Sequence, residues 1–206
     1  FNNDGSKMFI GGRASRKVHE YSLSTNFDIS SASVTYNGNF IDVSTQVAGD
    51  SLFGLTFSPD GTMMFVNEKG DGDDHLHQYS LNKSFDLSGG ANFIRSAEVP
   101  TLSSGTSFNG IAFNQSGTRM FVVDSSANTV NQYTLSEGFN IATASFDGGA
   151  FARQFSDSSL HGDPQGIDFS PSGLKMYVSH LAVSGSSTNA MIIEYHLSCP
   201  FNLFAG

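Results

Sequence analysis

The sequence predicts an all-β protein, a β-propeller of four-stranded antiparallel blades, on three observations. A ten-residue phrase recurs as FNNDGSKMFI, FSPDGTMMFV, FNQSGTRMFV and FSPSGLKMYV, with first residues at 1, 57, 113 and 169, a constant period of 56. A second phrase follows in each unit: VHEYSL, LHQYSL, VNQYTL and IIEYHL. The chain is also rich in turn-forming glycine, at 22 residues, and in phenylalanine, at 19, without a single tryptophan.

Each element of a blade follows from local chemistry. Met8, Met64, Met120 and Met176 open a continuous apolar run that suits a strand buried on both faces. Between the leading Phe and that run there is room only for a tight turn. Gly5, Gly61, Gly117 and Gly173 sit where a positive φ is needed, and Asp4, Asp60, Ser116 and Ser172 can bond the turn backbone. GLTF, GIAF and GIDF, just before the turn, give a short inner strand. In the second phrase Tyr21, Tyr79, Tyr133 and Tyr195 are each followed two residues on by Leu, so alternation puts Tyr and Leu on one face. Six residues past each Tyr stands Phe27, Phe85, Phe139 or Phe201, and the stretch beyond it supplies an outer strand.

The expected organisation is a single domain, 1–206, with repeats near 1–48, 49–104, 105–160 and 161–206, either a mature protein or a piece of a longer chain. The first repeat lacks an inner strand and the fourth an outer one. Three closures stay open: a four-bladed ring, an arc completed by a second copy of the chain, and part of a larger ring. A parallel β-solenoid is the structural rival, but 56 residues is long for one coil.

Composition excludes some partners. Ten Lys and Arg against nineteen Asp and Glu give a formal net charge of -9, which repels a phosphate backbone, so nucleic acid is not expected. No apolar run is long enough to span a bilayer, so no membrane insertion is expected. Cys199 is the only cysteine and forms neither an internal disulfide nor a zinc site. The low lysine content with a polar uncharged surface fits an extracellular or cell-surface protein.

Chemistry is expected where loops break the symmetry. The channel-mouth candidates for ligand binding are Asn109, His161, Asp163, Gln165 and Asp168. Asp168 stands out because its counterparts are Thr56 and Ala112; in HGDPQG, His161 and Asp163 approach the mouth, although Pro164 also makes this an ordinary turn. The run EKGDGDDHLH offers Asp71, Asp73 and Asp74 as oxygen ligands for calcium, at a Kd of roughly 10⁻⁴ to 10⁻³ M, against the plainer reading of a solvated acidic loop. His19 and His77 are expected at the surface as outward neighbours of the Tyr. A Ser-rich insertion at 180–191 reads as a partner-binding finger or a tolerated insertion. No nucleophile elbow, phosphate loop or dinucleotide fingerprint is present.

The phrase FSPDGTMMFV with HQYSL resembles lactonase-like and YVTN-type propeller repeats, and FNNDGSKMFI with YSLSTNFD resembles repeats in long secreted or surface proteins of marine bacteria. The resemblance covers all four repeats. It implies the propeller fold and two functions: a binding or adhesion scaffold for a protein or glycan, with no catalytic residues, or a metal-dependent lactonase-like hydrolase with a divalent cation in its channel. For the second, the resemblance carries over only Asp168, Asn109 and Asp163.

Overall fold

The computed structural model describes residues 1–47, 51–69, 75–99, 108–147, 163–181 and 190–204. Its strands are β1 Lys7–Gly12, β2 Lys17–Leu23, β3 Val34–Asp42, β4 Ser51–Phe57, β5 Met63–Lys69, β6 His75–Leu81, β7 Ala91–Glu98, β8 Phe108–Phe113, β9 Arg119–Asp124, β10 Thr129–Leu135, β11 Ala144–Phe146, β12 Pro164–Phe169, β13 Lys175–His180 and β14 Met191–His196. They form four antiparallel sheets in simple up-and-down order, β1-β2-β3, β4-β5-β6-β7, β8-β9-β10-β11 and β12-β13-β14. The inner, second, third and outer strands expected of each repeat are therefore present. Among the described residues, the first sheet lacks the inner strand and the last lacks the outer one.

The chain divides into two compact units, one of Phe1–Asp71 with His75–Ala97, the other of Gly72–Asp74 with Glu98–Gly206. The first holds the first two sheets, with β4 against β1; the second holds the other two, with β12 against β8 and β9.

Every sheet carries the same corner. Gly5, Gly61, Gly117 and Gly173 have φ between 68° and 72°, as the turn requires, and the Phe at the far corner of the same sheet also lies in the left-handed region: Phe27, Phe85, Phe139 and Phe201, at φ of 61°, 48°, 60° and 50°. A phenylalanine there is strained. It is held by its N–H, which donates to the turn glycine's carbonyl at 2.9 to 3.0 Å in all four sheets. Its ring lies flat over the glycine, where a Cβ would stand 2.1 to 2.4 Å from ring carbons. The same ring packs on the Phe that leads the repeat, with centroids 5.6, 5.7, 5.6 and 5.3 Å apart in the four sheets. The residue after it, Asp28, Asp86, Asn140 or Asn202, accepts from the backbone N–H two residues on at 2.9 to 3.2 Å.

A second device joins sheets within each unit. In the first unit, the buried Glu20 on β2 accepts from Leu87 N–H at 2.7 Å and is neutralised by Lys7 at 3.2 Å. In the second, Gln132 on β10 accepts from Leu203 N–H at 2.9 Å and donates to Asp147. Glu20 and Gln132 occupy the same repeat position, just before the Tyr, and Leu87 and Leu203 both lie two residues beyond the strained Phe. Phe9 and Phe121 pack on the leading Phe of the following sheet, Phe57 and Phe169, at 4.6 and 4.5 Å.

Around these contacts lie two cores. One gathers Val18, Val43, Val47, Met64, Val66, Tyr79 and Leu87; the other gathers Phe121, Val123, Val130, Met176, Val178 and Leu203. The Met-led strands β5 and β9 are buried on both faces, as expected of a continuous apolar run. The alternation expected of the second phrase is clear in β14, whereas β6 and β10 are buried at nearly every position.

Gly117→Ala should destabilise the protein by about 1–3 kcal/mol, because it combines a positive φ with a Cβ driven into the Phe139 ring; urea melts compare it with wild type. Gln132→Ala, which strands the Leu203 N–H, should cost about 1–3 kcal/mol in the same assay. The Gln132→Glu variant should recover little at neutral pH, because it restores the acceptor but sets a second carboxylate against Asp147.

Candidate functional site

The candidate side chains sit near where the regular strands end. One repeat position closes every Met-led strand, and it reads Gly12, Glu68, Asp124 and His180. The last three are buried polar groups near the end of strands that begin as apolar runs. Such groups persist only where the fold satisfies them or a ligand does.

In the first unit, Glu68 at the end of β5 meets the start of β6. One carboxylate oxygen lies 3.2 Å from His75 Nδ1 and 3.3 Å from His77 Nε2. His77 Nδ1 bonds Ser96 of β7 at 2.7 Å, and the two imidazoles stack at 6.2 Å. The surface position expected of His77 is therefore wrong. It shares a strand face with Tyr79, which is buried in the core between β2 and β6, whereas its counterpart His19 stays half-buried beside Tyr36. Burial, then the neighbouring His75, pushes the His77 pKa down to about 4. The Glu68 carboxylate pulls the other way, and burial prevails.

In the second unit, the ends of β8 and β12 come together. Asn109 on β8 is only 4% exposed; its Nδ2 donates to Pro164 O of β12 at 3.3 Å, while its Oδ1 has no partner among the described residues. Gln165 Nε2 donates to the same Pro164 oxygen at 3.1 Å. The two backbones meet closely here: a Cβ on Gly110 would lie 2.8 Å from Gln165 O, Gly166 Cα and Ile167 N, which is why glycine stands there. Asp124 holds the β9–β10 turn through one carboxylate oxygen, Oδ1, which accepts from Ser126 N, Ser126 Oγ and Ala127 N at 2.7 to 3.0 Å.

Of the residues singled out from sequence, the structure brings Asn109, Asp163 and Gln165 to one end of β8 and β12. Asp163 is exposed, and its carbonyl accepts from Leu181 N–H at 3.0 Å. Asp168 lies farther along β12, exposed, its carboxylate bonded to Phe169 N–H at 2.8 Å. His161, the calcium candidates Asp71, Asp73 and Asp74, and most of the 180–191 insertion lie outside the described residues. Among the described residues no three His, Cys, Asp or Glu side chains converge to hold a metal ion, so the carried-over set does not by itself fit a divalent cation. Glu68, Asp124 and His180 stand out from sequence only as members of the loops joining the second and third strands; that they share one repeat position shows when the repeats are aligned at a 56-residue spacing.

No protein-family model matches the chain, and no curated protein sequence matches it. Solved structures do. A candidate 6-phosphogluconolactonase of Bacteroides uniformis matches with a TM-score of 0.53 at 12% identity, covering 93% of this chain and 54% of that one. A β-propeller domain from Myceliophteria thermophila matches at 0.50 and 13% identity, covering 89% and 49%. The fold is a β-propeller fold. The same architecture recurs in a luciferin-regenerating enzyme, with a TM-score of 0.55 at 13% identity over 97% of this chain and 71% of that one. The chain spans about half the length of the first structures it matches, 54% and 53%.

The depressed His77 pKa makes stability depend on pH with a definite sign. The unfolded chain takes up a proton as pH falls through 6.5 and the folded chain resists until about 4, so stability is full above 6.5 and falls across that window, by at most about 3 kcal/mol. In His77→Gln this part of the slope should vanish, as read by chemical denaturation at stepped pH.

Proposed function

We propose that the chain is a lactonase-like propeller module that takes a small hydroxylated molecule, of the sugar-lactone class, at the joined ends of β8 and β12. The observation that carries this is the Asn109 amide, buried, oriented by its bond to Pro164 O, with its Oδ1 left as an acceptor for a ligand hydroxyl. Gln165 and Asp163 border it and add polar groups suited to the same ligand. Support for hydrolysis over a purely adhesive role comes from the fold neighbours described as a 6-phosphogluconolactonase and a luciferin-regenerating enzyme. The net charge of -9 favours an uncharged sugar lactone over a phosphorylated one.

The test pairs a lactone hydrolysis panel, with and without added divalent cations, with calorimetric binding of the unreactive sugar acids. Asn109→Leu should abolish turnover and weaken binding about tenfold or more, since a hydrogen bond lost from a buried site costs about 1–3 kcal/mol. Turnover and binding both unchanged in Asn109→Leu would remove the site. No turnover of any lactone by the wild type would remove the hydrolase reading and return the chain to a scaffold for proteins or glycans.

A further inference from the structure

We infer that the outer face of the fourth sheet docks a second copy of this chain through the open face of that copy's first sheet, head to tail, in the manner in which the first sheet holds the second and the third holds the fourth. The inference is independent of any catalytic role.

The donor side of a sheet-to-sheet contact has a fixed composition. It presents Val18 and Glu20 in the first sheet and Val130 and Gln132 in the third; the two valines are 0% and 1% exposed. The same positions of the fourth sheet are Ile192, 72% exposed, and Glu194. The lysine that completes the set is also present. Lys7 bridges Glu20 and Asp86 of the next sheet at 3.2 and 3.6 Å, and Arg119 donates to Phe201 O at 2.7 Å. Lys175, their counterpart, is already oriented by Glu194 at 2.9 Å.

The receiving side is equally regular. Leu87 and Leu203 offer their N–H and are 2% and 4% exposed, while Ile29 at the same position of the first sheet is 67% exposed. Met64, Val66 and Tyr79 complete that side in the second sheet and are buried; in the first sheet Ile10 is exposed and Met8 and Tyr21 are only half-buried. Superposing the repeat register sets Glu194 on Ile29 N–H, Lys175 on Asp28 and Ile192 beside Ile10 and Tyr21 of the second copy. Shape, hydrogen bond and charge are thus complementary between two different faces, which makes the contact heterologous.

Sedimentation of the isolated chain across a wide concentration range should give a mass of at least twice 22.0 kDa. Ile192→Asp and Ile29→Asp, both at exposed positions, should each weaken self-association at least about tenfold while leaving the thermal melt unchanged at dilutions where the wild type is also monomeric. Mixing the two variants should restore a dimer, because each retains the face the other has lost. A monomeric wild type would overturn the inference and leave the faces to further blades of the same polypeptide. A wild-type dimer that the mixture fails to restore would overturn it too, because the interface would then be symmetric or elsewhere.

Discussion

The fold depends on a phenylalanine held in a left-handed conformation above a turn glycine. Neither residue is placed by ordinary propensity. The glycine must lack a Cβ both for its own φ and to admit the ring, and the phenylalanine bears strain of about 1–3 kcal/mol offset by a backbone hydrogen bond, an aromatic partner and an Asx cap. The pair ties the hairpin between the inner and Met-led strands to the corner that leads to the outer strand. Each sheet thereby fixes three of its connections before any neighbour is added. The contact spans 22 residues in the first and third sheets and 28 in the fourth, so the loop between can lengthen while the corner stays the same.

Sheets then join through a smaller number of specific contacts laid over apolar burial. Glu20 and Gln132 show two solutions at one position. A buried carboxylate requires a counter-charge, and Lys7 supplies it; a buried amide requires an acceptor for its N–H, and Asp147 supplies that. The common element is the backbone N–H of the following sheet's corner, whose placement the strained phenylalanine determines. The intra-sheet lock and the inter-sheet pin are therefore one chain of cause: change the corner and the donor moves away from its acceptor.

The repeat made most of the architecture legible. Constant spacing, the turn glycines and the Met-led runs locate the strands, because these columns are set by backbone geometry and burial that recur in every sheet. The column of Phe27, Phe85, Phe139 and Phe201 was visible too, yet no propensity rule assigns a phenylalanine to positive φ, so its role appeared only in three dimensions. His77 misled for a related reason. Its identity with His19 in the alignment suggests one environment, but exposure depends on whether another sheet lies over that face, which no single repeat encodes. Asn109 stood out in the sequence as a loop-end polar residue, whereas its burial, with an oxygen that has no partner among the described residues, was not legible, since it accompanies the close approach of β8 and β12 at Gly110. Asp168 drew attention by chemistry alone and lies exposed, bonded to its own strand.

Repetition also explains where function can be written. Residues of the lock and the pin are coupled to partners in the same or the next sheet, so a change there acts on folding. The position read as Gly12, Glu68, Asp124 and His180 ends the Met-led strand beyond the last core contact, and its four occupants share neither charge nor size. Two of them meet different neighbours: Glu68 lies against two imidazoles, and Asp124 accepts from a turn backbone. A site free to differ in every sheet, yet buried enough to make an electrostatic choice matter, can acquire a ligand preference without disturbing the repeat. The regular columns supply a rigid frame, and the strand ends, where the columns stop agreeing, are where side chains can change without disturbing it.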